Sequence, residues 1–333
     1  MVEGVLQSEN PGCAHYSFST TGSLVYVPGH SQSARHTLVW VSRNGAERPL
    51  AAPGRDYQSP YLSPDGRRFA LGIDEPGGKQ QLWIYDLARE ALTPFTLEGS
   101  ANTAAVWAPD GKRIAFYSNK EGPLNLFWQR ADGSGELERL TNSENLRVPM
   151  SFSPDGQLLA FTESNPTTNL DIWILHLKDR KSEPFLRTPF RESAPRFSPD
   201  GRWLAYTSNE SGQTEVYVRP YPGPGGKWPI STAGGTEPVW NPNGREIFYR
   251  SGDKMMAVGV TTQPAFSAGK PRMLFEGKYV ATTGTKPRYD VSADGQAFLM
   301  FKPVEQDQAA PTQINLVLNW TEELKQRVPT WKK

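Results

Sequence analysis

Two carboxylates, one histidine and one arginine lie at fixed short distances before a turn in a sequence pattern that repeats along the chain. These residues are His15, Glu237, Arg288 and Asp290. Carboxylate oxygens are the ligands that calcium prefers, and an imidazole beside a carboxylate can serve as base and acid on a bound ester. His15, Glu237 and Asp290 are therefore candidate ligands of a divalent cation such as calcium, and candidate catalytic residues of a hydrolase.

These residues are remote from one another in the sequence, so a recurring four-residue turn must supply the element that positions them. Ser63-Pro64-Asp65-Gly66 is one copy, in which Pro presets φ and Gly adopts the left-handed conformation that closes a tight turn. Successive copies are 44, 45, 45, 45, 43 and 51 residues apart, which indicates a repeated supersecondary unit. The third residues of the seven copies are Thr21, Asp65, Asp110, Asp155, Asp200, Asn243 and Asp294.

Short apolar runs with partial alternation flank every turn, as in "RWLAYTS" and "EVYVRPY", and they predict strands rather than helices. Four antiparallel strands in each period of about 45 residues are typical of one propeller blade. The sequence therefore predicts an all-β fold, a seven-bladed β-propeller forming a single domain. The predicted blades are 14–52, 57–98, 102–141, 147–187, 192–232, 235–277, and 286–320 completed by 2–6.

The strand at 2–6 is expected to join the C-terminal blade and so to close the ring, which removes an open sheet edge. Six blades with an irregular cap are the alternative. In a propeller the innermost strand of each blade lines the central channel, and its start lies at the upper mouth. Residues at the same offset before each turn are then brought together around the axis.

The offsets give the candidate site. His15, Glu237 and Arg288 lie six residues before the third turn residue, and Asp290 lies four before it. Their blades are the first and the last two, which become neighbours when the ring closes. Arginines at such positions could bind an anion or pair with the carboxylates. The further ligand-binding candidates are Tyr61 and Arg196, at the offset of four, and Arg147 and Glu192, eight residues before the third turn residue.

The stretch "SAPRFSPDGRWLAYTSNESGQTEVYVRPYPGPGG" resembles the WD-like repeats of TolB-type β-propellers. It also resembles the propeller regions carried C-terminally by many bacterial serine/threonine protein kinases. The resemblance implies a binding module, a sensor or scaffold that engages a protein, a peptide or a small molecule at the upper face and channel mouth. The alternative is a metal-dependent hydrolase similar in architecture to calcium-dependent lactonase and phosphotriesterase propellers.

Composition excludes several other classes. The 36 basic and 35 acidic residues leave no net field for nucleic acid, and no apolar run is long enough to be inserted in a membrane. Cys13 is the single cysteine, so no disulfide framework is predicted. We expect a monomer from a bacterium, cytoplasmic as a free-standing chain, or outside the cytoplasm as part of a membrane-linked kinase.

Overall fold

The computed structural model describes residues 16–27, 35–75, 77–282, 285–304 and 313–320. Their regular structure is almost entirely strand, and no helix within these ranges is long and apolar enough to span a membrane. The first strands in chain order are β1 (Tyr16–Phe18), β2 (Leu24–Tyr26), β3 (His36–Ser42), β4 (Glu47–Pro49), β5 (Tyr57–Leu62), β6 (Arg68–Glu75), β7 (Lys79–Asp86), β8 (Ala91–Pro94), β9 (Asn102–Trp107), β10 (Arg113–Ser118), β11 (Asn125–Arg130), β12 (Glu138–Arg139), β13 (Arg147–Phe152) and β14 (Leu158–Asn165).

The strands of the second half repeat a pattern in which longer strands are followed by a short outer strand. They are β15 (Asn169–His176), β16 (Lys181–Leu186), β17 (Glu192–Phe197), β18 (Trp203–Ser208), β19 (Glu215–Pro220), β20 (Trp228–Pro229), β21 (Thr236–Trp240), β22 (Glu246–Ser251), β23 (Lys254–Thr261), β24 (Ser267–Ala268), β25 (Arg272–Glu276), β26 (Tyr289–Val291), β27 (Ala297–Pro303) and β28 (Asn315–Val317).

These strands form seven antiparallel sheets within the described residues, in keeping with a β-propeller. Sheet I has the order β26-β27-β3-β4, and sheets II to V are β5–β8, β9–β12, β13–β16 and β17–β20. Sheet VI is β21–β24 with β25 also paired to β23, and a terminal sheet has the order β1-β2-β28. The strands of sheets II to VI lie inside the predicted ranges 57–98, 102–141, 147–187, 192–232 and 235–277.

The chain ends pair differently from the prediction. The sequence assigned β1–β4 to one blade and β26–β28 to another, but β27 pairs along its whole length with β3, from Ala297↔Ser42 to Pro303↔His36. β1 and β2 pair instead with β28. The described residues between His36 and Pro303 form one compact unit, and the described residues outside that range belong to a second. The strand predicted at 2–6 lies outside the described residues.

The repeated turn is held by its own side chains. In the copy that begins at Ser63, the Ser63 hydroxyl donates to Asp65 Oδ1 at 2.5 Å and accepts from Arg68 N at 3.0 Å. The hydroxyl of Ser63, followed by the backbone N–H of Arg67, lowers the pKa of Asp65 below its ordinary value. Gly66 has φ of 66°, a conformation that Gly adopts without the steric cost paid by other residues. The aspartate is thus a turn-former, as its position in the motif indicates.

Six apolar cores lie between consecutive sheets of the larger unit. One joins sheet II to sheet III through residues such as Ile84 and Trp107, and another joins sheet VI to sheet I through Phe248 and Phe298, whose ring centres are 5.0 Å apart. Because each sheet is covered on both faces, its central strands are almost fully buried. The first strand of each sheet is thereby held against its neighbours, and β5, β9, β13, β17 and β21 contact one another in that sequence.

Candidate functional site

The first strands of the sheets carry a bulge just before the candidate site residues. The pairing of β5 with β6 shifts between Gln58 and Tyr61, and those of β17 and β21 shift at the equivalent place. A non-glycine residue with positive φ sits at the bulge, and such backbone is sparsely populated and re-aims the side chains around it. Four residues have this conformation, and each lies six positions before the third residue of its turn: Ser59, Ala104, Ala194 and Glu237.

Two positions further along, Arg196 and Tyr61 meet. The guanidinium carbon of Arg196 lies 4.4 Å from the centre of the Tyr61 ring. Arg196 Nη1 donates to the carbonyl oxygen of Met150 at 3.1 Å, and the Tyr61 hydroxyl donates to the same oxygen. Burial lowers the pKa of Arg196, and the negative charge of Asp290 opposes this effect. The prediction placed Arg196, Tyr61 and Asp290 at one offset, and the structure gathers them from three sheets.

Asp290 is nearly buried and uses both carboxylate oxygens on the backbone. Oδ2 accepts from Leu62 N at 2.8 Å, which ties sheet I to sheet II, and Oδ1 accepts from Val291 N at 2.9 Å. Burial raises the pKa of this carboxyl, while the charge of Arg196 lowers it. Asp290 thus fastens two neighbouring first strands.

Glu237 makes the equivalent use of its oxygens. Oε1 accepts from Thr282 N at 3.2 Å and Oε2 from Arg288 N at 2.6 Å, so this carboxylate holds the segment that leads into β26. Burial raises its pKa, although these backbone donors and the charge of Arg250 act in the opposite direction. Of the predicted metal and catalytic set, His15 lies outside the described residues. Within the described ranges no group of three His, Cys, Asp or Glu side chains is placed to hold a metal ion.

Arg288 lies beside a cation that the sequence prediction did not select. The Arg288 Nη1 donates to Tyr57 O at 2.9 Å. Lys286, two residues earlier, extends to sheet III, where its Nζ lies 3.1 Å from Thr103 Oγ1 and 3.5 Å from the Tyr117 hydroxyl. Both side chains are half-buried. Lys286 lies eight residues before the third residue of its turn, as Glu192 and Arg147 do, and this offset is the sequence feature that could have identified it.

The electrostatics of this pair are unfavourable. Desolvation, and then the charge of Arg288, lower the pKa of Lys286 from 10.5 to about 7. Desolvation also lowers the pKa of Arg288, against the field of Asp56, Glu237 and Asp74. Asp74 is engaged by the side-chain amides of Gln58 and Gln80, at 3.0 and 2.9 Å. Within the described residues neither cation lies within ion-pair distance of a carboxylate.

Two of the predicted ligand residues serve other partners. Arg147 Nε donates to Glu163 Oε2 at 2.7 Å, and its guanidinium carbon lies 5.2 Å from the centre of the Phe161 ring. Glu192 is buried and accepts from the Thr188 hydroxyl at 2.5 Å. Burial raises the pKa of Glu192, opposed by the Thr188 hydroxyl and reinforced by Asp171. The structure therefore leaves Arg147 in an internal ion pair and Glu192 among the buried polar groups near Asp171.

A polar network that recurs within several sheets was not anticipated from the sequence. In sheet III the Thr141 hydroxyl accepts from Leu126 N at 3.1 Å and donates to Asn125 Oδ1 at 3.0 Å. Sheet II repeats this with Thr96, Leu82 and Gln81, and sheet V with Ser231, Val216 and Glu215. These hydrogen bonds satisfy buried polar groups at the same point of sheets II, III and V, and their recurrence at the blade period marks the residues as structural.

A cavity of about 180 Å³ opens beside Glu237, between the starts of β17 and β21. Apart from Ala194 its lining is polar, with Arg191 and Glu237 at its wall. Its lining hydroxyls belong to Ser193, Thr207, Thr214, Thr236, Thr282 and Thr285.

Repeated four-stranded sheets whose first strands converge define the β-propeller class. Residues 5–168 and 133–287 each match the model of one family, PD40, the TolB beta propeller domain. Because these matches together cover most of the sequence, the chain belongs to this family. No curated protein sequence matches the chain.

Several solved structures share the fold. A protein assigned as TolB from Agrobacterium tumefaciens is 19% identical over 82% of this chain and all of that chain, with a TM-score of 0.63. TolB from Acinetobacter baumannii is 17% identical, with a TM-score of 0.54 over 84% of this chain and 66% of that one. An oligogalacturonate lyase from Vibrio parahaemolyticus is 10% identical, with a TM-score of 0.52 over 86% of this chain and 83% of that one. At such identities the likeness shows the fold alone.

Proposed function

We propose that the chain is a binding module whose ligand docks where the first strands begin, and that the ligand presents a carboxylate or phosphate to Lys286 and Arg288. The observation that carries this proposal is two adjacent, half-buried cations with no carboxylate in ion-pair distance among the described residues. Placing like charges together in a partly desolvated site is unfavourable. A bound anion would offset that cost with charge-assisted hydrogen bonds.

We also propose that sheets I to VI make a closed six-bladed ring. Pairing of β27 with β3 unites the two ends of the larger unit in sheet I. Sheet I then shares an apolar core with sheet II on one side and with sheet VI on the other. Such a ring would hold Lys286, Arg288 and the hydroxyl-lined cavity beside Glu237 at one end of its axis. A rigid frame of this kind lowers the entropic cost of binding.

The ligand of this module is a protein, a peptide or a small molecule with an exposed anionic group. The hydroxyls around the cavity would accept and donate hydrogen bonds to the rest of that ligand, and Arg191 adds a cation at its wall. The metal-dependent hydrolase with calcium bound by His15, Glu237 and Asp290 stays an untested alternative. Glu237 and Asp290 already use all four carboxylate oxygens on backbone N–H groups, which favours the binding module.

The proposal is tested by calorimetric titration of inorganic phosphate and of succinate into the protein at pH 6.5, where Lys286 is mostly protonated. Saturable binding is expected. Arg288→Gln and Lys286→Gln should each weaken it by about ten- to a hundredfold, the worth of a charge-assisted hydrogen bond. Arg67→Gln and Lys270→Gln are matched controls, since both residues are exposed, and they should bind as the wild type does. Binding that is absent, or that survives both site variants unchanged, would refute the proposal.

A further inference from the structure

Among the described residues, the amine of Lys286 contacts two hydroxyl groups and the face of one aromatic ring. Its described contacts are Thr103 Oγ1 at 3.1 Å, the Tyr117 hydroxyl at 3.5 Å, and the face of the Tyr117 ring, whose centre is 4.8 Å away. The residue as a whole is half-buried rather than fully enclosed. The charged groups that face it are Arg288 and, at longer range, Asp74.

Several other lysines in the described residues pair with a carboxylate. Lys302 lies 2.7 Å from Glu47, Lys120 lies 2.6 Å from Glu98, and Lys227 contacts Glu210. A carboxylate partner stabilises the protonated amine and keeps it from acting as a nucleophile. Lys286 has the opposite surroundings, a neighbouring cation and low exposure, and these are the two conditions that activate a lysine amine.

The protonation state follows from these surroundings. With a pKa of about 7 instead of 10.5, about half of the Lys286 amines are neutral at pH 7, against roughly one in three thousand for an ordinary lysine. Tyr117 stays protonated, because burial raises its pKa to about 12. A neutral amine and a phenol that can donate a proton therefore lie next to each other.

We propose that Lys286 forms an imine with an aldehyde or ketone that carries a carboxylate or phosphate, which makes this position a covalent attachment site. The amine lone pair attacks the carbonyl carbon, the carbonyl oxygen takes up a proton from the Tyr117 hydroxyl, and the proton that the nitrogen then loses restores that hydroxyl. The resulting carbinolamine loses water and leaves a C=N bond to Nζ. One water is released for each imine, and no oxidant or reductant is required.

The imine inference rests on the proposed anion site, because Arg288 would bind the anionic group of the carbonyl compound. The Arg288 guanidinium has one described hydrogen bond, to Tyr57 O at 2.9 Å, and the rest of its N–H donors can meet an anionic group on the carbonyl compound. Holding that group would bring the carbonyl carbon to Lys286 and raise its effective concentration. Arg288 is thus a positioning residue, and Lys286 the residue that reacts.

The test uses pyridoxal 5′-phosphate as an aldehyde that carries a phosphate, and pyridoxal as its uncharged counterpart. The protein is incubated with each at pH 7, the imine is reduced by borohydride, and the labelled peptide is identified by mass spectrometry. We expect Lys286 to be labelled at least about tenfold faster than Lys270, because its neutral fraction is so much larger. Lys286→Met and Lys286→Arg should abolish this label and retain the labelling of Lys270.

The role of Arg288 is measured by the ratio of the labelling rates of Lys286 with the two aldehydes. Arg288→Gln also removes the charge that lowers the Lys286 pKa, so labelling by both aldehydes should slow. The preference for the phosphate-bearing aldehyde over pyridoxal should fall about tenfold in this variant, whereas Arg67→Gln should leave it unchanged. Equal labelling of Lys286 and Lys270 overturns the imine inference. If phosphate still binds in calorimetry, the anion site survives that result, and if phosphate also fails to bind, both proposals fall.

Discussion

Arg196 and Tyr61 come from sheets V and II, yet the guanidinium carbon of one lies 4.4 Å from the ring centre of the other. Both side chains donate to the carbonyl oxygen of Met150, which belongs to sheet IV. The charge of Asp290, from sheet I, also acts on Arg196. One buried cation therefore links the first strands of four sheets.

The first prediction concerns this contact. Arg196→Met should lower the free energy of unfolding by about 2–4 kcal/mol, since it leaves Met150 O short of a donor and Asp290 without its nearby cation. Adding Asp290→Asn should recover part of the loss, because the unpaired charge is removed. Urea unfolding followed by tryptophan fluorescence measures both. Arg67→Met, at an exposed position, should change stability by no more than about 0.5 kcal/mol. An Arg196→Met protein as stable as that control would contradict the assigned role.

The second prediction concerns the hydroxyl network that recurs within the sheets. Thr141→Val keeps the shape of the side chain but removes an acceptor for Leu126 N and a donor to Asn125 Oδ1. Because both partners are buried, the expected loss is about 1–3 kcal/mol. Thr261→Val, on an exposed strand position, is the matched control and should be close to neutral. Thermal unfolding of the two variants compares them directly, and equal midpoints would show that the network contributes little.

The third prediction concerns acid stability and His36. Burial, and then the charge of Arg288, lower the pKa of His36 from 6.5 to about 4. A folded-state pKa below the unfolded value means that the unfolded chain binds the proton first as the pH falls. Protonation of His36 in the unfolded chain should therefore lower the free energy of unfolding progressively between pH 6.5 and pH 4, by up to about 3 kcal/mol at the lower end.

The measurement is the difference in unfolding free energy between pH 6.5 and pH 4. His36→Phe removes the titrating group and keeps an aromatic ring against Phe301, whose centre is 6.3 Å away in the wild type. This variant should lose less stability over the interval than the wild type does. His176→Gln is the control, because His176 is half-exposed and pairs with Glu183. A pH slope that His36→Phe leaves unaltered would mean that His36 titrates normally.

Much of the architecture is a local property of the sequence. The turn that begins at Ser63 needs only Pro64, Asp65 and Gly66, and its hydrogen bonds join residues within five positions of one another. The apolar runs that follow such turns predict strands, and their repetition predicts sheets of the same kind. The offset before each turn also predicted that Tyr61, Arg196 and Asp290 would share one level, since equivalent positions in a repeat face equivalent directions.

The amino-acid sequence by itself determined the repeated sheet, its turns and the register of its first strands, because those depend on neighbours close in the chain. The tertiary structure alone decided that β27 pairs with β3, that backbone N–H groups occupy the oxygens of Glu237 and Asp290, and that Lys286 reaches Tyr117. Apart from the contact of Asp290 with the adjacent Val291, these outcomes join residues between 45 and 267 positions apart. No local preference encodes such contacts, because they depend on how whole sheets pack and on which buried groups find partners there.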